Sequence, residues 1–202
     1  MGYKYVRLPP VVLSLMEGPW LFHRQDAKSN EWEFDKNFYR TNPACQRLCV
    51  RCDVVLKMSS DLHAALRSLP HGPSFRFVDE LVSLDPGREA SAIYQVRGDE
   101  AFLTGHFPGN PMMPGVILIE AIAQLGGIMI QTDPEHTAMS DVRLTGVRAA
   151  KIFGAAVPGE VLEIRVKLEG RLGELVQLEG SVSGPLGTLA TARITLSGQL
   201  AG

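Results

Sequence analysis

Apolar and polar residues alternate most strictly in the last third of the chain. Leu162, Ile164, Val166 and Leu168 alternate with Glu163, Arg165 and Lys167, and Val176, Leu178 and Val182 with Gln177, Glu179 and Ser181. Ala190, Ala192, Ile194 and Leu196 do so with Thr191, Arg193 and Thr195. A period of two is that of a strand with one buried face. Gly-bearing links at Gly170 to Gly173 and Gly184 to Gly187 predict an antiparallel meander. Upstream, Phe75 to Leu84 and Glu89 to Arg97 read as strands around an Asp85-Pro86-Gly87 turn. The pattern changes after Pro114, where Val116, Ile117, Leu118, Ile119, Ala121, Ile122, Ala123, Leu125, Ile128 and Met129 leave no polar face. Such a helix is expected inside the fold rather than on its surface. With Glu120 and Gln124 in a run of about fifteen residues, it is too short and too polar for a membrane span. The prediction is an α+β architecture, an antiparallel sheet wrapped around one long central buried helix.

Composition divides the chain near Met58. Residues 1–57 hold nine Lys or Arg against six Asp or Glu, both tryptophans, eight of the fourteen aromatics and all three cysteines. From Met58 onward there are eleven basic and sixteen acidic residues, and the periodic elements begin at once. Ser59, Ser60 and Asp61 suit the start of a short helix through Leu62, Ala65 and Leu66, ended by Pro70. Residues 1–57 are accordingly expected to be an extension outside the core, or upstream of a natural start at Met58, and residues 58–202 the working domain. Length and hydrophobic content are enough for one sizeable core. A net charge of -2 gives no global reason to expect nucleic acid or an anionic membrane as partner. The apolar run Val11 to Met16 follows Pro9 and Pro10 and lacks a cleavage pattern, so no export is expected. An odd count of cysteines, all between Cys45 and Cys52, points to a reducing cytoplasm.

Against this background Glu120 is the most informative residue, because a carboxylate inside an apolar helix is costly unless paired or protonated. Gln124 lies one turn later and could orient it. On the helix alone, the competing reading is a carboxylate satisfied by a backbone amide or a basic side chain. His106 stands in GHFPGNPMMPGV, where Gly105, Pro108, Gly109, Pro111, Pro114 and Gly115 constrain the loop and can hold an imidazole rigidly. A loop histidine taken alone is more often a turn residue, and it is the pairing with Glu120 that changes the balance. Gly115 and Val116 open the helix, so their amides and the positive end of its dipole can bind a carbonyl oxygen. Base, acid and oxyanion donor then come from one segment.

The segment GHFPGNPMMPGVILIEAIAQLGG, Gly105 to Gly127, resembles the signature of the FabZ-type (3R)-hydroxyacyl-acyl-carrier-protein dehydratases, with His followed fourteen residues later by Glu in the central helix. LHAALRSLPHGPSFRFVDEL upstream and AVPGE downstream are similar to the family's segments, so the resemblance runs from Leu62 to Leu196. It implies a hot-dog fold and a homodimer in which His of one subunit faces Glu of the other, often in a trimer of dimers. It also implies dehydration of a hydroxyacyl group carried by acyl carrier protein or CoA to the trans-2-enoyl thioester, in fatty-acid or related acyl-chain biosynthesis. His106 would take the α proton, the Gly115 amide would stabilise the enolate-like oxygen, Glu120 would protonate the departing hydroxyl, and an apolar tunnel beside the helix would hold the chain. FabA-type relatives carry Asp where Glu120 stands and Trp near Ala123, which sets this sequence on the FabZ side. Other readings are a hydrolase of acyl thioesters on the same fold, or a non-catalytic acyl-binding subunit.

The chain departs from the family at Gly72, where Arg usually follows LPH, and at Gly154, Ala155 and Ala156, which replace a basic-Pro pair. His71, at the LPH position, is read as structural. Cys45, Cys49 and Cys52 are read as ordinary thiols, and no histidine has metal-ligand spacing, so no metal or cofactor is expected. Arg143, Arg148 and Lys151 could form a small basic rim for an acidic carrier, with solvated surface as the simpler reading.

Overall fold

The computed structural model describes residues 61–200, together with the backbone of three very short strands upstream. Cys45, Cys49, Cys52, Ser59 and Ser60 lie outside the described residues. The chain divides into two units, Met1–Lys57 and Met58–Gly202, each described by itself. In the first, β1 (Val6–Arg7), β3 (Glu31–Glu33) and β2 (His23–Arg24) pair antiparallel in the order β1-β3-β2.

In the second unit a helix over residues 61–67 (α1) precedes the 3-10 turn Pro73–Phe75. Strands β4 (Glu80–Asp85), β5 (Glu89–Gln95), β6 (Met139–Ile152), β7 (Val161–Leu172), β8 (Leu175–Gly184) and β9 (Gly187–Leu200) form one antiparallel sheet in the order β4-β5-β7-β8-β9-β6. A short helix, α2 (Ala101–Gly105), and the long helix α3 (Gly115–Gln131) follow β5 in sequence. The predicted meander is β7 to β9, with two-residue links at residues 173–174 and 185–186; Gly170 lies at a register shift inside β7.

The alternating apolar sets all face α3. Leu162, Ile164, Val166, Val176, Leu178, Val182, Ala190, Ala192, Ile194 and Leu196 are buried with Leu118, Ala121, Ile122, Leu125, Ile128 and Met129 in one core. Helix and sheet approach most closely where small residues line a row across four strands, Ala90, Val166, Gly180 and Ala192, each paired with the next. A Cβ on Gly180 would stand 2.2 Å from Ile122 Cγ2 and 3.1 Å from the Arg165 carbonyl oxygen. Gly180 is therefore small because Ile122 occupies the space. At the far end of the helix the β4–β5 turn docks on α3, the Gly87 amide donating to the Met129 carbonyl at 3.1 Å. Gly87 combines a φ of +72° with the Asp133 carboxylate where a Cβ would be, so both backbone and space favour glycine.

Two predicted strands are shorter than expected, and side chains are the reason in both. Pairing of β4 begins at Glu80, not Phe75, because the Phe75 carbonyl and Phe77 amide are bonded to the Gln124 side chain instead of a neighbouring strand. β5 stops at Gln95, not Arg97, because the Glu100 carboxylate takes the amides of Arg97 and Gly98. The fourteen-residue strand β6 has no counterpart in the periodicity. Its register shifts three times against β9, Asp141 and Ala149 adopt positive φ, and most of its side chains are exposed, so no period of two survives.

Gly180→Ala tests the close approach. The added methyl has to displace Ile122, and overpacking of this kind costs about 1–3 kcal/mol; denaturant unfolding should show a lower midpoint with an unchanged slope, and an unchanged midpoint would mean that α3 can move off the sheet at no cost.

Candidate active site

The helix places Glu120 on its first turns, where the core begins to open: Leu118 is fully buried, whereas the side chain of Glu120 retains 23% exposure. Gln124, one turn on, is the buried polar residue among the described core positions. Its amide is fully used. Nε2 donates to the Phe75 carbonyl at 2.9 Å and to Glu120 Oε1 at 3.0 Å, while Oε1 accepts from the Phe77 amide at 2.9 Å. Of the competing reading of Glu120, satisfaction by a backbone amide or a basic side chain, the fold provides the second in His71, and adds the side-chain amide of Gln124. His71 Nε2 stands 3.4 Å from the same Oε1. Neither contact uses Oε2.

Reading the sequence missed His71 as a neighbour of Glu120, treating it as structural. Nothing local could have revealed it, because forty-eight residues and the whole of β4, β5 and α2 intervene. What brings the two together is the Gln124 bridge, which ties the segment carrying Phe75 and Phe77 to the helix.

His106 ends α2, with φ −96° and ψ 100°, and its position is fixed from both sides. Its Nδ1 lies 2.8 Å from the Met112 carbonyl oxygen. A carbonyl can only accept, so Nδ1 carries the hydrogen and Nε2 presents its lone pair. Phe107, held at φ 56°, packs its ring edge-on against the imidazole with centroids 4.4 Å apart. The loop that follows is closed by Asn110 N–H to the Phe107 carbonyl and is pinned to the domain by Met113 and Ala156, which exchange a bridge. Upstream, Glu100 caps the approach to α2. It accepts from the Arg97 and Gly98 amides at 2.8 and 2.7 Å and from the buried Tyr94 hydroxyl at 2.8 Å. Burial pushes the Tyr94 hydroxyl well above its usual range, and the Glu100 carboxylate adds to the effect. Burial also raises the Glu100 carboxyl, but the Arg97 amide, the Tyr94 hydroxyl and the Gly98 amide outweigh it and hold the group below its ordinary value.

Gly115 and Val116 stand at the first turn of α3, with Pro114 as its N-cap and the first bond running from the Ile117 amide to the Pro114 carbonyl. The side chain of Val116 points outward and is 74% exposed, a departure from a helix apolar and buried on every face. Within the chain no hydrogen bond or ion pair joins His106 to Glu120; each is held by its own partners. A groove of about 600 Å³ lies on the polar face of the sheet, between Ser83, Glu89, Arg165, Lys167, Glu179 and Thr191, away from both residues. The expected tunnel beside α3 is therefore not the cavity described in a single chain. Arg143, Arg148 and Lys151 lie along β6. Among the described residues no helix is long and apolar enough to cross a membrane.

Residues 69–184 match the family model described as FabA-like domain. The chain is 37% identical over 117 residues to a 3-hydroxyacyl-[acyl-carrier-protein] dehydratase FabZ of Desulforamulus reducens, covering 56% of this chain and 82% of that protein. It is 38% identical over 122 residues to the protein of the same name from Natranaerobius thermophilus, covering 60% and 85%. Among solved structures, the dehydratase heterocomplex ApeI:P from Xenorhabdus doucetiae superposes with a TM-score of 0.56 at 22% identity, covering 66% of this chain and 90% of that one. Zebra fish thioesterase superfamily member 2 does so with a TM-score of 0.52 at 12% identity, covering 71% and 99%. At these identities the structural likeness speaks for the fold, which is the hot-dog fold.

The Glu100 cap gives a pH test. A carboxyl with a depressed folded value adds stability that is present above its unfolded value, ordinarily 4.5, and is lost as pH falls through the folded value. The stability difference between the wild type and Glu100→Gln should therefore be widest near neutrality and shrink below about pH 4.5. A difference that stays constant down to acid would show that the cap does not depend on the ionised carboxylate.

Proposed function

The chain belongs to the FabA-like domain family and is a 3-hydroxyacyl-thioester dehydratase, and from that premise we propose that His106 and Glu120 carry out the elimination. The observation that carries this assignment is complementary preparation of the two groups. The Met112 carbonyl leaves His106 Nε2 as an acceptor of protons. Gln124 and His71 occupy Glu120 Oε1 and leave Oε2 to meet the substrate. Nε2 of His106 removes the proton α to the thioester carbonyl, and the electron pair moves into an enolate-like system whose oxygen is met by the Gly115 amide, with Val116 beside it at the positive end of α3. Expulsion of the 3-hydroxyl is completed by a proton from Glu120, so that water departs and the double bond forms between C2 and C3. His106 is left protonated and Glu120 ionised, and a proton passing between them through solvent restores both.

Because no hydrogen bond or ion pair joins His106 to Glu120 within one chain, the reading includes a homodimer in which each site takes His106 from one subunit and Glu120 from the other. The surface supports it. Among the described residues β6 is a sheet edge of fourteen residues, Leu144, Val147 and Ile152 are exposed apolar residues on it, Phe153 follows it, and the exposed Val116 stands next to Gly115, which packs on Ile152; an edge of this length is an invitation to pairing. A tunnel for the acyl chain would then be formed by assembly and not by the single chain. We assign the substrate as a (3R)-hydroxyacyl group on acyl carrier protein or CoA, the working unit as residues 58–202, and the compartment, from the three cysteines, as a reducing cytoplasm.

Two experiments follow. His106→Ala and Glu120→Gln should each lower turnover by about 10²- to 10⁴-fold while melting like the wild type, and the double variant should lose less than the product of the two; product masses distinguish enoyl thioester from the free acid that a hydrolase would release. Near-normal dehydration by Glu120→Gln would remove Glu120 as the acid. For the assembly, a chain beginning at Met58 should sediment as a dimer or larger and keep its turnover, whereas a fully active monomer would end the shared-site arrangement.

A further inference from the structure

Among the described residues, His71 is the titratable side chain that reaches the Glu120 carboxyl beside the Gln124 amide, and its surroundings indicate how it is used. Its Nε2 is 3.4 Å from Glu120 Oε1, and its Nδ1 is buried with no hydrogen-bond partner. A buried N–H without an acceptor is rarer and costlier than an under-used acceptor. The hydrogen therefore belongs on Nε2, the ring nitrogen on the Glu120 side, with the lone pair on the enclosed Nδ1. The segment that carries the imidazole is restrained independently of Glu120. Arg76 donates through Nη2 to the His71 carbonyl at 3.1 Å and to the Leu69 carbonyl at 3.5 Å, the Phe75 ring lies 6.0 Å from the imidazole, and Gln124 holds Phe75 and Phe77.

We propose that His71 is a positioning residue for the acid: the His71 Nε2–H and the Gln124 amide together fix Glu120 Oε1 as an acceptor, so that the transferable proton is confined to Oε2. A carboxylic acid with both oxygens unrestrained carries its proton on either one and in several rotamers, only some of which reach the departing hydroxyl. Two donors on Oε1 remove those alternatives. They also stabilise the carboxylate left when the proton has gone, since hydrogen bonds to a charged acceptor are stronger than those to a neutral one. This rests on Glu120 being the acid. Gln124 cannot be substituted cleanly, because it also satisfies the Phe77 amide and the Phe75 carbonyl, whereas among the described residues the one polar contact of the His71 side chain is that with Glu120.

The test uses the full chain with a 3-hydroxyacyl thioester and enoyl absorbance as the readout. His71→Leu, which removes the donor at similar size, should lower kcat about 10-fold with KM within about twofold, the loss expected for one hydrogen bond to a charged group. His71→Gln, whose amide nitrogen reaches the place of Nε2, should recover most of it, and His71→Asn, which falls short of that place, should not. In a Glu120→Gln background, where no proton is delivered, His71→Leu should change the residual rate by less than about twofold. A native kcat for His71→Leu, an equal loss in both backgrounds, or failure of Gln to outperform Asn would each overturn the proposal. Should His71→Leu not fold, the Gln and Asn variants decide. A wild-type rate for Glu120→Gln would instead sink the assignment of the acid itself, so the two failures are told apart.

Discussion

Everything chemical in this domain hangs on the burial of α3 against the sheet. A helix with apolar residues on nearly all sides can exist in water only if something encloses it, and here the strands β5, β7, β8 and β9 supply the enclosure. Contact is close because the facing row is built from Ala90, Gly180 and Ala192 around Val166, leaving room for Ile122. Once the helix is fixed at that depth, its N-terminal turns, with Gly115, Val116 and Glu120, stand where the core ends and solvent begins.

A single amide then converts a packing arrangement into a site. Gln124 is buried, and a buried amide with unmade hydrogen bonds would be expensive. The same three hydrogen bonds that meet this requirement tie down Phe75 and Phe77, shorten β4 and hold Glu120. Satisfying its own buried amide and orienting Glu120 are not separate functions of this residue. His106 is treated in the same manner by different means: Met112 sets its tautomer, Phe107 its ring plane, and the Glu100 cap the position of the short helix it terminates.

Among the described residues no hydrogen bond or ion pair joins His106 to Glu120. β6 is long, irregular and mostly exposed, and exposed apolar side chains gather on it and at the start of α3. Among the described residues, an edge strand left open beside exposed apolar side chains is a surface on which another strand can pair.

Much of this was legible in the sequence alone. The period of two gave β7, β8 and β9 because each has one face on the core and one in water, and the helix after Pro114 was plain because a long apolar run flanked by prolines and glycines has few other solutions. His106 and Glu120 stood out because a constrained loop and an apolar helix are unusual places for them. What the sequence could not carry was any relation between distant residues. β6 was invisible because bulges at Asp141 and Ala149 erase the alternation and its side chains are not sorted by a core of its own. The early ends of β4 and β5 came from side chains competing for backbone groups, Gln124 at Phe75 and Phe77 and Glu100 at Arg97 and Gly98. His71 acquired its place beside Glu120 only when the chain folded, because residues forty-nine apart become neighbours through tertiary packing and not through any local preference. Periodicity reports which faces are buried; which partners meet across those faces is decided by the packing itself.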